Sequence, residues 1–97
     1  MSPSEILEQR HILVSGRVQG VGFRYFVYEA AERHGVTGWV RNRPDRKVEI
    51  RAQGTSPSLE DFLEDVRKGP STSRVDSVAI TDEPLETTFS SFNVKIF

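Results

Sequence analysis

Two stretches of this chain carry apolar side chains at helical spacing, and each lies between runs that alternate as strands do. Phe23, Phe26, Val27, Ala30 and Ala31 fall at i, i+3, i+4, i+7 and i+8, which places one apolar stripe on a helix running from about Gly22 to His34. Gly35 is a stop signal just beyond it. Leu59, Phe62, Leu63 and Val66 repeat the pattern, with Ser56 as N-cap, Pro57 at the first helical position and Gly69-Pro70 as terminator. Ahead of the first helix, His11 to Val14 is apolar and β-branched, as a central strand is. Between the helices, Val36, Gly38 and Val40 alternate with Thr37, Trp39 and Arg41. Val48, Ile50 and Ala52 then alternate with Glu49, Arg51 and Gln53. The intervening NRPDRK contains the turn formers Pro44 and Asp45, so these two runs form an antiparallel hairpin. A strand near Arg74 to Thr81 and a short edge strand over Phe92, Val94 and Ile96 complete the series.

The order is β-α-β-β-α-β plus one short C-terminal strand. Two fused β-α-β units with right-handed crossovers place both helices on one face of an antiparallel sheet, the ferredoxin-like α+β sandwich. At 97 residues there is material for one core. Residues 1–8, rich in Ser, Pro and Glu, are expected to be a flexible tail, and residues 9–97 a single domain. The start MSPSEILEQ lacks the basic and apolar regions of a secretory signal. No apolar run approaches the roughly 18 residues of a membrane span. With no cysteine, disulfides, thiolate metal sites and cysteine nucleophiles are excluded, which fits a cytoplasmic protein.

The net charge of −1 conceals an asymmetry. Residues 10–47 hold eight bases against three acids, whereas residues 48–97 hold five against nine. The front half is built to attract an anion. Within it lies GRVQGVGFR, residues 16–24, where a strand gives way to a helix through Gly16, Gly20 and Gly22. Free amides in such a turn and the positive end of the helix dipole favour an anion, and Arg24 in the first helical turn has a guanidinium suited to phosphate or carboxylate. Neither the Walker A nor the dinucleotide glycine pattern is matched. From residue types alone two readings stand: an anion cradle, or a tight turn beside a surface arginine.

The residues themselves go further. GRVQGVGFR resembles the signature of the acylphosphatase family, with V-Q-G-V-x-F-R at Val18 to Arg24. GVTGWVRN (residues 35–42) resembles its second block, and STSRVDSV and FSSFNV resemble its last two strands. The resemblance covers nearly all of the chain from about residue 10. It implies that backbone amides of Arg17, Val18, Gln19, Gly20, Val21 and Gly22 hold a phosphoryl group, that Arg24 binds its oxygens and that Asn42 holds the attacking water. The implied reaction is hydrolysis of the carboxyl-phosphate anhydride of an acylphosphate to a carboxylate and inorganic phosphate, with no metal and no organic cofactor. The implied partner is a small-molecule acylphosphate substrate, with inorganic phosphate as product; no nucleic acid or membrane partner is expected, and the chain is expected to act as a monomer.

The chemistry of the residue types agrees. An acylphosphate is already activated, so its hydrolysis needs positioning and charge stabilisation more than a strong base. Asn42 is neutral, but its carbonyl accepts a hydrogen bond from a water. One position departs from the family pattern: Arg46 stands where the hairpin often has glycine after Asp45. The alternative is a non-catalytic ferredoxin-like anion- or RNA-binding module. RNA binding calls for aromatic side chains on the central strands, and neither HILVSGR nor KVEIRAQ has one. His11 is expected at a strand edge, His34 at a helix end, and Trp39 in the core or at its edge. Arg41, Arg43 and Arg46 are expected on the solvated surface.

Overall fold

A computed structural model describes residues 6–96, so the first five residues of the expected tail and Phe97 lie outside it. Seven elements follow in order: β1 (Glu8–Arg17), α1 (Phe23–His34), β2 (Thr37–Asn42), β3 (Val48–Gly54), α2 (Ser56–Lys68), β4 (Arg74–Glu83) and β5 (Phe92–Lys95). The sheet order is β4-β1-β3-β2-β5. Both helices pack on one face, and the core between them and the sheet includes Ile12, Val14, Phe23, Val27, Val40, Ile50, Leu59 and Phe62.

Each strand of the sheet's middle contributes alternate residues to that core. Ile12 and Val14 of β1, Val40 of β2 and Val48, Ile50 and Ala52 of β3 are fully buried. The opposite face is polar. His11 belongs to it, in the middle of β1 and not at an edge, because β1 opens three residues earlier than the apolar run suggests. Its Nε2 lies 2.6 Å from Oε2 of Glu49. Arg41 Nε donates to the same carboxylate at 2.6 Å. Trp39 also lies outside the helix-packed core. It is nonetheless only 9% exposed, because Arg41 and Arg51 each stand 5.5 Å, and Lys95 4.4 Å, from its ring centroid. Long cationic side chains cover an aromatic ring well, with their stems apolar and their heads over its negative face.

Two further expectations are corrected. α2 is capped by Thr55, whose hydroxyl accepts from the Ser58 amide at 3.3 Å, so the cap lies one residue before the Ser56 expected from sequence and Ser56 is the first helical residue. The sheet is mixed rather than antiparallel throughout, since β5 runs parallel to β2. The cause is topological. β4 ends beside the start of β1, at one edge of the sheet. The chain then crosses beneath the strand ends to the other edge. There Gly38, at the start of β2, donates to Ser91 O at 3.0 Å. Gln53 fastens the crossing by donating to Thr87 O and accepting from the Phe89 amide. A strand entering at the end where β2 begins has to run the same way as β2.

Candidate active site

The site forms where the end of β1, the start of α1 and the end of β2 converge. Val18 anchors the connecting loop: its side chain is 1% exposed and belongs to the core. Beyond it the chain must reverse within four residues, and Gly20 and Gly22 do so with φ of 72° and 77°. Side-chain-bearing residues rarely adopt this region, and a Cβ at either place would project into open space. The glycines are therefore required by backbone conformation, and they leave the loop's surface open to an approaching ligand.

Three contacts hold the loop. The Gln19 amide donates to the carbonyls of Arg43 and Lys47, each at 2.9 Å, and so clamps the loop to the β2–β3 turn. The Thr72 hydroxyl donates to Val21 O at 2.8 Å. Val21 also packs against the core. Gly22 is the N-cap of α1 and has no side chain to occupy the free amides, and no acidic residue stands in the first turn. Among the described residues, none of the amides from Gln19 to Tyr25 donates to a protein acceptor. An uncapped helix end with a row of free amides and no competing carboxylate is an anion site by its own electrostatics.

Arg24 is the second residue of α1. Its Nη1 donates to Lys95 O at 2.9 Å, so β5 holds the guanidinium by a neutral carbonyl. No carboxylate among the described residues pairs with it, and its remaining donors are available. Asn42 ends β2, and its Oδ1 is buried without a hydrogen-bond partner. Buried acceptors are rarely left empty, and an unfilled one at a pocket marks a place for water or substrate. A pocket of about 200 Å³ joins these groups: Val18, Gly20, Gly22, Phe23, Arg24, Tyr25, Asn42 and Val94 line it. Histidine, aspartate and glutamate are absent from that lining.

Of the eight residues expected at the site, five line this one pocket. Val18, Gly20, Gly22, Arg24 and Asn42 share the pocket, while Gln19 and Val21 hold the loop through the bonds described. Arg17 is the last residue of β1, is exposed, and lines a different depression. Sequence reading missed Thr72 and the Lys95 carbonyl. A backbone carbonyl carries no residue signature, so the Arg24 anchor had no signal in the sequence. The β2–β3 turn takes the form its sequence left open. Arg46 N donates to Arg43 O at 3.2 Å and Arg43 N to Lys47 O at 2.9 Å. Arg46 itself adopts φ of 71°, the position where a three-residue hairpin loop favours glycine. The turn is kept, and Asn42 stays paired opposite Val48.

Fold and site together define a ferredoxin-like domain with an uncapped helix N-terminus, free amides and an arginine gathered at a strand-to-helix turn. The chain belongs to the acylphosphatase family, whose profile matches residues 10–94. It is 49% identical over 94 residues to an acylphosphatase of Koribacter versatilis, covering 97% of this chain and 86% of that one. It is 50% identical over 86 residues to one of Bacillus licheniformis, covering 89% and 96%. The crystal structure of acylphosphatase from Bacillus subtilis superposes with a TM-score of 0.88 at 41% identity, covering 93% of this chain and 99% of that one.

Proposed function

We propose that this chain hydrolyses acylphosphates with the phosphoryl group held on the amides of the 17–22 loop and by Arg24, and with the attacking water held by Asn42. Membership of the acylphosphatase family makes it an enzyme of that activity. The observation that carries the assignment of roles is the buried, unpartnered Asn42 Oδ1 lining one pocket with Arg24 and the loop glycines.

The geometry supports a reaction driven by positioning. The phosphoryl oxygens meet free amides, the α1 N-terminus and a guanidinium, all in place before the substrate arrives. Asn42 accepts one hydrogen bond from a water and so turns its lone pair towards phosphorus. Water attacks, the P–O bond to the carboxylate breaks, and the carboxylate leaves with the bonding pair. With no carboxylate or imidazole lining the pocket, the water's proton passes to a phosphoryl oxygen of the substrate, and inorganic phosphate is released. The step is balanced without metal or organic cofactor.

The reading as an RNA-binding sheet has little support. The aromatic on the open face is Trp39, and three cations cover it where a stacking platform must be bare. We treat residues 9–97 as one domain, acting in the cytoplasm as a monomer. The lack of cysteine and the charged edge strand β4, with Arg74, Asp76, Asp82 and Glu83, support this.

The test is hydrolysis of benzoyl phosphate without added metal by three proteins. Wild type turns over. Arg24→Gln loses about 10²- to 10³-fold in kcat and binds phosphate more weakly, since a preorganised donor to the transition state is gone. Asn42→Ala loses kcat while phosphate inhibition stays close to wild type, because it touches water and not phosphoryl oxygen. Near-normal rates in both folded variants would overturn the assignment.

A further inference from the structure

A second depression, of about 700 Å³, opens where the end of β1, the β2–β3 turn and the start of β4 meet. Ser15, Arg17, Gln19, Arg46, Lys47 and Arg74 line it, together with Asp45 and Asp76. It adjoins the cradle only through Val18, which lines both. The cradle suits a single phosphoryl group, whereas this volume is within the roughly 300–1,000 Å³ of small-molecule sites.

Its charge is not internally balanced. Asp76 is occupied by Arg74, whose Nε and Nη2 donate to its two oxygens at 2.9 and 3.3 Å. Asp45 is occupied by Arg43, at 3.1 Å, and by the Lys47 amide, at 3.2 Å. Its carboxyl is held below the ordinary range: desolvation pushes it up, and the Arg43 and Lys47 hydrogen bonds outweigh that. Both acids are thus already satisfied. Arg17, Arg46 and Lys47 pair with no carboxylate among the described residues, and all three face this one depression. By contrast, Arg41 and Arg43 of the same region are ion-paired.

Arg46 adds a second, independent observation. It is the one non-glycine residue with positive φ among the described residues. A side chain is kept at a backbone position that is easier for glycine, and that side chain lines the depression.

We infer that this depression is a second anion-binding site, distinct from the cradle, for a small molecule bearing two or more neighbouring anionic groups. Arg17 ends β1 where the loop begins, and Arg46 and Lys47 come from the turn that Gln19 clamps to that loop. An occupant bridging these cations ties together the same two segments that Gln19 joins.

The experiment is an amide-resolved NMR titration with pyrophosphate, without metal, at physiological ionic strength, where loose attraction between exposed charges is screened. In wild type the amides of Gly20 and Gly22 and those of Arg46, Lys47 and Arg74 shift with two different affinities. Saturating inorganic phosphate suppresses the first set and leaves the second. In Arg24→Gln the first set weakens and the second persists. Arg46→Gly with Lys47→Gln weakens the second set at least about tenfold while the spectrum stays folded and the first set is kept. Tricarballylate is the second probe. If it shifts the same turn amides the site takes polyanions in general, and if only pyrophosphate does it takes phosphates; each supports the site. Turn amides that do not move, or that move with the cradle's affinity and vanish in Arg24→Gln, overturn it.

Discussion

At Arg46 the chain holds a side chain in left-handed backbone, which costs about 1–2 kcal/mol relative to the right-handed region. Glycine at this place removes that cost but gives the unfolded chain more freedom, worth about 0.5–1 kcal/mol in the opposite direction. Arg46→Gly is therefore expected to stabilise the protein by about 0.5–1 kcal/mol, read as a higher urea midpoint at unchanged slope. A lower midpoint would mean that the Arg46 side chain makes stabilising contacts of its own. The residues of the pocket make a second statement. With no imidazole or carboxylate lining it, kcat/KM for benzoyl phosphate should show no limb near neutral pH that any His, Asp or Glu substitution removes. A limb abolished by His11→Asn or by His34→Asn would place a general base that the geometry does not contain.

At the scale of the element, α2 shows what sequence pattern reaches and where it stops. Its apolar face and its stop at Gly69 were legible because they rest on spacing and on residue types with few uses. Its start was not. Thr55, Ser56 and Pro57 each suit a helix N-terminus, and proline loses no helical hydrogen bond anywhere in the first turn. The two registers predict different mutants. Thr55→Ala should cost about 1 kcal/mol, because the Ser58 amide loses its acceptor, while Ser56→Ala should stay within a few tenths. Thermal or urea unfolding of the pair decides it, and the reverse order would restore Ser56 as cap. The glycine loop and Asn42 were reached in another way: residue types left an anion cradle and a plain tight turn both open, and only the resemblance of GRVQGVGFR and GVTGWVRN to the acylphosphatase family singled out the two together. The parallel pairing of β5 was not legible. It depends on where the segment between Glu83 and Phe92 crosses, and that is set by Gln53 from a strand distant in sequence. The same holds for the tether of Arg24 to the Lys95 carbonyl.

Across the whole molecule the two faces of the sheet are stabilised by different physics, and this sets the response to acid. The core between helices and sheet is apolar, and the charged pairs on that side, His34 on Asp65 and Arg10 on Glu60, stand at its margin. The open side has charged groups that fold into one another's reach: His11 and Arg41 on Glu49, and Gln9 and Arg51 on Glu83. Burial pushes the Glu49 carboxyl up, but hydrogen bonds from His11 and Arg41 and their charges bring it below the ordinary value. Glu83 is lowered chiefly by its hydrogen bonds to Arg51, with Gln9 assisting against desolvation. A carboxyl that is more acidic folded than unfolded binds a proton more readily in the unfolded chain. Its stabilisation is complete above the unfolded value of about 4.3 and is lost as pH falls towards and through the folded value. Urea midpoints should therefore be level around neutrality and fall steeply below about pH 5. Glu49→Gln should be less stable than wild type at neutral pH, because Arg41 and His11 lose an anion whose own side chain is only 9% exposed. Its midpoint should also decline less on acidification, so that the two curves converge at low pH. Parallel curves, offset by the same amount at every pH, would show that Glu49 contributes packing and not charge, and would place the acid sensitivity of this fold elsewhere.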